Sequence, residues 1–330
     1  MTDISGMSPP PACGRYSAKP GRIAAIEWAK LAFAMAIVCL HVGFLGEISR
    51  PLNIAIGNNF ARLGVPFFLF VTGFYFHRQV ARGIGHMLRR MAGLYALWTV
   101  VYLPVWLPGA GGDQIVTNLI VGYWQLWYLL AAFMAACMVY LVRDMRTGPL
   151  LALSVAILML GVGLQYAQRL EQSGLMPDLS ISRDGAMARN FLFFGFPFMS
   201  LGLVCARHQA RWRALPLARR LMLAVVALGA FVVEILANNL IFNAVGPYDL
   251  FVTLAIAIPA LFLVLADVRG GIAISPHWST AVYLVHVLWI EVSLQVFPQM
   301  NATPRTVLVV ALSLSVVPVL RRLNRALPVL

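Results

Sequence analysis

Three ionisable side chains, Glu27, Lys30 and His41, stand in one apolar run, IEWAKLAFAMAIVCLH, over residues 26–41. A histidine with its ordinary pKa of about 6.5 takes up and releases protons near neutral pH. A helix turns about 100° per residue, so Lys30 and His41, eleven residues apart, return to nearly one face, separated by roughly 16 Å along the axis. Glu27 and Lys30 are three apart and can pair directly. Ionisable groups in an apolar helix cost several kcal/mol in lipid and normally face a bundle interior or a wet cavity. The spacing therefore predicts one polar stripe along a lined passage. The blander reading makes Glu27 and Lys30 an interfacial anchor, with Lys30 snorkelling to the membrane edge.

The rest of the chain must supply the elements that hold such a stripe. The 330 residues are 61% hydrophobic and 11% charged, against about 25% charged in soluble domains. Ten apolar runs, each near the ~20 residues that cross a bilayer core, lie near 23–45, 59–77, 91–108, 118–141, 149–167, 190–206, 219–242, 247–266, 279–297 and 305–320. In lipid the backbone must bond to itself, so these runs are expected to be helices. With the N-terminus placed in the cytoplasm, eighteen basic residues fall on cytoplasmic segments and five on outer ones. That asymmetry predicts N-in, C-in. The expected fold is an all-α integral membrane protein of about ten transmembrane helices, with residues 1–20 a disordered cytoplasmic tail and 21–330 the membrane domain. The run starting near Ile23 is too long for a signal-peptide core and reads as a retained span.

Composition also excludes classes. The net charge of +13 is distributed as short clusters between spans, and no nucleic-acid-binding motif accompanies it, so nucleic acid is not expected as a partner. Cys13, Cys39, Cys137 and Cys205 show no CxxC spacing, and no His or carboxylate set has metal-ligand spacing. No internal repeat supports an inverted-repeat transporter.

Several pieces, taken in order, resemble membrane-bound acyltransferase family 3, the ten-span enzymes that O-acetylate surface polysaccharides and related glycans. They are the acidic-x-x-basic-x10-His pattern from Glu27 to His41, NNFARLGVPFFLFVTGFYF over 58–76, RRMAGLYALWTVVY over 89–102, LWYL over 126–129, RNFLFFGFPFMSLG over 189–202 and STAVYLVH over 279–286. Glu27 stands where the family usually has Asp, and Lys30 where it often has Arg, so charge is kept while the planar guanidinium fork is not.

The resemblance implies transfer of an acyl group, acetyl as the first expectation, from cytoplasmic acyl-coenzyme A to a hydroxyl of an extracytoplasmic glycan or lipid-linked saccharide. The expected place is the bacterial inner membrane, with acyl-CoA a substrate and no bound cofactor. His41 is the expected catalytic base or acyl carrier, with Glu27 and Lys30 setting its field. Arg89 and Arg90 are placed to meet the coenzyme's phosphates. Arg62, close in depth to His41, suits polarising the thioester carbonyl or holding the acceptor. Trp127, Tyr283 and His286 are expected near the substrates, while the other aromatics of YWQLWY over 123–128 read as an interfacial belt.

Glu234 and Asn238, four apart in the seventh run, line the cavity on one reading and tie helices together on the other. His286 and Glu291 would face apart by about 140° and not form one site. His77, His86, His208 and His277 lie at span ends and read as surface residues. The rival function is a proton-coupled transporter using Glu27, Lys30, His41 and Glu234 as a relay.

Overall fold

The computed structural model describes residues 23–174, 188–241, 248–268 and 271–330. The tail expected over 1–20 and most of the outer loop expected over 168–189 lie outside the described residues; 168–172 instead continue a helix. Among the described residues there is no strand, and ten helices of eleven residues or more fall one to each apolar run. They are α1 (Ala24–Val42), α2 (Gly64–Phe74), α3 (Ile84–Trp106), α4 (Trp127–Leu141), α5 (Thr147–Gln172), α6 (Phe196–Arg207), α7 (Leu217–Ile241), α8 (Leu254–Leu265), α9 (His277–Val296) and α10 (Ala302–Leu323).

Seven helical stretches are long and apolar enough to cross a bilayer: α1, α5, α7, α9, α10, Arg50–Phe74 ending in α2, and Trp124–Leu141 containing α4. The chain is an integral membrane protein on this ground. The other three helices depart from the uniform runs read in the sequence. α3 has the length but carries Arg89, Arg90 and Pro104. α6 and α8 have 12 residues each, about 18 Å at 1.5 Å per residue, short of a hydrocarbon core of about 30 Å. On α7, Met222, Val225, Val226, Val233, Leu236 and Leu240 are exposed, an apolar face that water would disfavour and lipid accepts.

Three helices do not start as α-helix. A π turn (Asn53–Asn59) and a 3-10 turn (Phe60–Leu63) precede α2; a π turn (Asn118–Gly122) and a 3-10 turn (Trp124–Leu126) precede α4; a π turn (Phe191–Gly195) precedes α6. The last is capped by Asn190, whose Oδ1 accepts the N–H groups of Leu192 and Phe193 at 2.8 and 2.9 Å. Ahead of α8 the backbone from Tyr248 is not helical, although Tyr248, Leu250 and Phe251 are buried. Irregular backbone survives at such depth only when protein groups satisfy it. Gln165 Oε1 accepts from the N–H of Asp249 and Leu250 (2.8 and 2.9 Å), and its Nε2 donates to Leu250 O. Glu234 accepts from the N–H of Val252 and Thr253 at 2.8 and 2.9 Å and from the Thr253 hydroxyl at 2.5 Å.

Two contacts fix the direction of the central helices. Trp28, near the start of α1, donates to Ile272 O just before α9 (2.9 Å), and His41, near its end, meets His286 on α9. So α1 and α9 run parallel. At the end of α1, Leu45 N donates to Thr303 Oγ1 (3.1 Å) and Glu47 accepts from Thr303 N (2.9 Å), which places the start of α10 there.

α2 and α6 touch backbone to backbone. A Cβ on Gly73 would lie 1.9 Å from Met199 O, and one on Gly202 2.1 Å from Phe70 O. Small residues let membrane helices approach this closely. Gly73→Ala must push the pair apart, at a cost of about 1–3 kcal/mol or more. A lower melting temperature in detergent checks this; an unchanged one would contradict the packing.

Candidate functional site

The irregular helix starts and the end of α1 converge on one cavity. It is lined by Ile37, Leu40 and His41 of α1, by Ala61, Arg62 and Val65 at the entry to α2, and by Trp127, Arg189, Phe194, Asp249 and Tyr283. Its volume is about 40 Å³, room for a few water molecules at about 10–15 Å³ each, so a substrate must part the side chains that line it.

His41 sits between two rings. Its centroid is 5.2 Å from that of His286 and 5.4 Å from that of Trp124. Among the described residues neither nitrogen of His41 has a hydrogen-bond partner. His286 is fully buried, and its Nδ1 lies 2.8 Å from Tyr283 O and 3.2 Å from Val282 O. Both neighbours only accept, so Nδ1 carries the proton, and Nε2 of the neutral ring is left as an acceptor. That Nε2 is buried and has no partner among the described residues. Trp124 is held at φ 45, a left-handed backbone that a bulky side chain adopts only under constraint. Its ring meets those of His41 and, at 6.3 Å, Tyr123.

Arg62 donates to Asp249 Oδ1, and Arg189 Nε lies 3.3 Å from Asp249 Oδ2. One buried carboxylate thus sits between two guanidiniums at the cavity wall. Gln165 holds the Asp249 backbone in place. Tyr283 donates to Gln125 O (2.7 Å), and Gln125 Nε2 donates to the Tyr102 hydroxyl (2.7 Å), so the α4 entry and α9 are tied beneath Trp127. Trp127 meets Phe194 edge-on at 5.6 Å.

Of the residues singled out in the sequence, His41, Arg62, Trp127 and Tyr283 line the cavity and His286 backs it. Glu27 and Lys30 do form their pair, Lys30 Nζ to Glu27 Oε2 at 2.8 Å, with Glu27 buried. It lies in the early turns of α1 and does not line the cavity. Arg89 and Arg90, early in α3, do not line it either, and Arg90 donates to Leu330 O (2.8 Å). Glu234 serves the α8 entry and Asn238 accepts from the Tyr166 hydroxyl (2.8 Å), which favours the helix-tying reading. Glu291 accepts from the Tyr123 hydroxyl (3.3 Å), away from His286. Among the described residues no group of three or more His, Cys, Asp or Glu could hold a metal ion.

Three site residues were not singled out. In the sequence Arg189 stands only as the first residue of a family-like piece, Trp124 reads as part of the interfacial belt, and Asp249 belongs to no motif. Asp249 did carry a signal: it is an acidic residue at the start of an apolar run, the kind of placement that needs a partner.

The acyltransferase family 3 model, described as an acyltransferase domain, matches residues 23–322, and the chain belongs to this family. It is a membrane acyltransferase, moving groups other than aminoacyl groups. Searches of curated proteins and of solved structures each return no match.

Proposed function

We propose that this protein is an O-acyltransferase, acetyl being its group, that moves the acyl from cytoplasmic acyl-coenzyme A to a hydroxyl of an extracytoplasmic glycan or lipid-linked saccharide. The observation that carries this reading is the meeting of His41, His286 and Arg62 at one cavity at the far end of α1 from its ion pair. The chain spans a bacterial inner membrane ten times, N-in and C-in, with the short helices completed by their irregular entries.

The chemistry follows from the groups present. The acceptor oxygen attacks the thioester carbonyl, the new C–O bond forms and the C–S bond breaks. His41 takes the hydroxyl proton and passes it to the departing thiolate, or carries the acyl group between the two. His286 Nε2 accepts from the His41 ring N–H once the rings close up, which holds the opposite nitrogen as the base. Arg62, aimed by Asp249, faces the charge that develops on the carbonyl oxygen. Glu27 and Lys30 neutralise one another on the donor side of the stripe.

Sealed inverted membrane vesicles given labelled acetyl-coenzyme A outside should accumulate label covalently on glycan within. Label that enters without covalent transfer would overturn the reading. Lys30→Arg should keep most of the activity, since the pair survives, while Lys30→Ala leaves Glu27 buried alone and should lose more. Equal loss in initial-rate assays would remove the charge argument.

A further inference from the structure

We propose that a second cavity, at the opposite end of the bundle, binds the phosphates of the acyl-coenzyme A donor. This rests on the donor reading above. The cavity has a volume of about 410 Å³ and is lined by His277, Pro318, Arg321, Arg322, Asn324 and Arg325. Four of the six are basic or can become so, and none is a carboxylate. Arg321 and Arg322 lie in the last turn of α10 and Arg325 just past its end, and all three reach the one cavity. Their side chains have no hydrogen-bond or ion-pair partner among the described residues. Three other arginines are engaged: Arg220 with Asp267 (2.8 Å), Arg207 with Met145 O (2.8 Å) and Arg90 with Leu330 O (2.8 Å).

The frame is fixed. Asn324 Oδ1 accepts from Leu330 N (2.8 Å), Trp98 Nε1 donates to Val329 O (3.1 Å), and Val329 and Leu330 are buried. The role expected of Arg90 therefore changes. It anchors the segment after α10 that holds Asn324 and Arg325 beside the cavity. Clustered guanidiniums without carboxylates suit a polyphosphate, which accepts several forked hydrogen bonds at once.

Depth selects the ligand. His277 opens α9 at this cavity, and His286, nine residues on, meets His41. Nine residues rise about 14 Å, comparable to the reach of an extended pantetheine arm. A nucleotide held at Arg321, Arg322 and Arg325 would deliver its thioester to His41. A phospholipid headgroup offers the same phosphate chemistry but has no thioester to deliver.

The test compares wild type with R321Q/R322Q/R325Q, and with the charge-keeping R321K/R322K/R325K, in nanodiscs of zwitterionic lipid and in nanodiscs containing phosphatidylglycerol. The probe is coenzyme A by calorimetry, beside KM and kcat for acetyl-coenzyme A. The glutamine variant should bind coenzyme A about tenfold or more weakly in both lipids. Its KM should rise to match, with kcat held at saturating donor, and the lysine variant should fall between. Unchanged coenzyme A binding in the glutamine variant overturns the site and leaves the donor reading standing. A defect confined to phosphatidylglycerol nanodiscs makes the cavity a lipid site and overturns it too. If wild type itself fails to bind coenzyme A, the donor reading falls and the site with it.

Discussion

Replacing His41 by alanine is expected to lower kcat by about 10²- to 10⁴-fold, the usual worth of a positioned general base, while the protein still inserts and melts as wild type does. The imidazole lies at the end of α1, and the fold around it does not depend on it: its nitrogens have no partner among the described residues. Its ring contacts, Trp124 and His286, are held by their own backbone geometry. Coenzyme A affinity should also be unchanged, because the proposed phosphate site lies about 14 Å away along α9. Full activity in initial-rate assays would remove His41 from the chemistry. A protein that fails to insert would make it a structural residue.

The second large effect belongs to Asp249. Asp249→Ala leaves Arg62 and Arg189 facing each other across a cavity wall without their shared carboxylate. Removing one partner of a buried ion pair costs about 3–5 kcal/mol, because the remaining charge is stranded. Here the stranded charge is Arg62, whose ion pair is with Asp249. The expected result is a clear fall in melting temperature and loss of acyl transfer. Asp249→Asn keeps the shape and an acceptor oxygen, so it should fold better than Asp249→Ala while still losing rate, because Arg62 is no longer held by charge. Wild-type melting and rate in Asp249→Ala would show that the pair neither supports the fold nor aims Arg62.

The two predictions differ in how far the sequence disclosed them. His41 and its helix were legible because lipid makes an isolated ionisable side chain conspicuous and a helix has a fixed period. The ten helices were legible for a similar reason: an apolar run in lipid has few other ways to satisfy its backbone. Arg62, Trp127, Tyr283 and His286 were found through motif resemblance, and four of the five cavity-side expectations, counting His41, line the cavity directly.

Asp249 was not legible, because helical spacing rules reach only three or four residues and its partner Arg62 lies 187 positions away. The apolar run around it also hid the non-helical entry to α8. What sustains that entry is a pair of side chains from other helices, Gln165 and Glu234. The sequence showed Glu234 as a buried charge, and the structure shows it satisfying backbone N–H groups at the start of a short helix. Arg90 donates to Leu330 O, and no spacing rule links α3 to the segment after α10. Trp124 was assigned to the belt because aromatic residues at a span end are common there. Only its φ of 45 and its contact with His41 separate it from that class.

The central claim is covalent acyl transfer through His41. Purified wild-type and His41→Ala protein in nanodiscs, given isotopically labelled acetyl-coenzyme A and a hydroxyl-bearing glycan or lipid-linked saccharide, provide the most direct test by mass spectrometry of the acceptor. The account predicts an O-linked labelled acetyl group with wild type and about 10²- to 10⁴-fold less of it at equal times with His41→Ala. Equal labelling by both proteins, or labelling by neither across the acceptor classes, would contradict it.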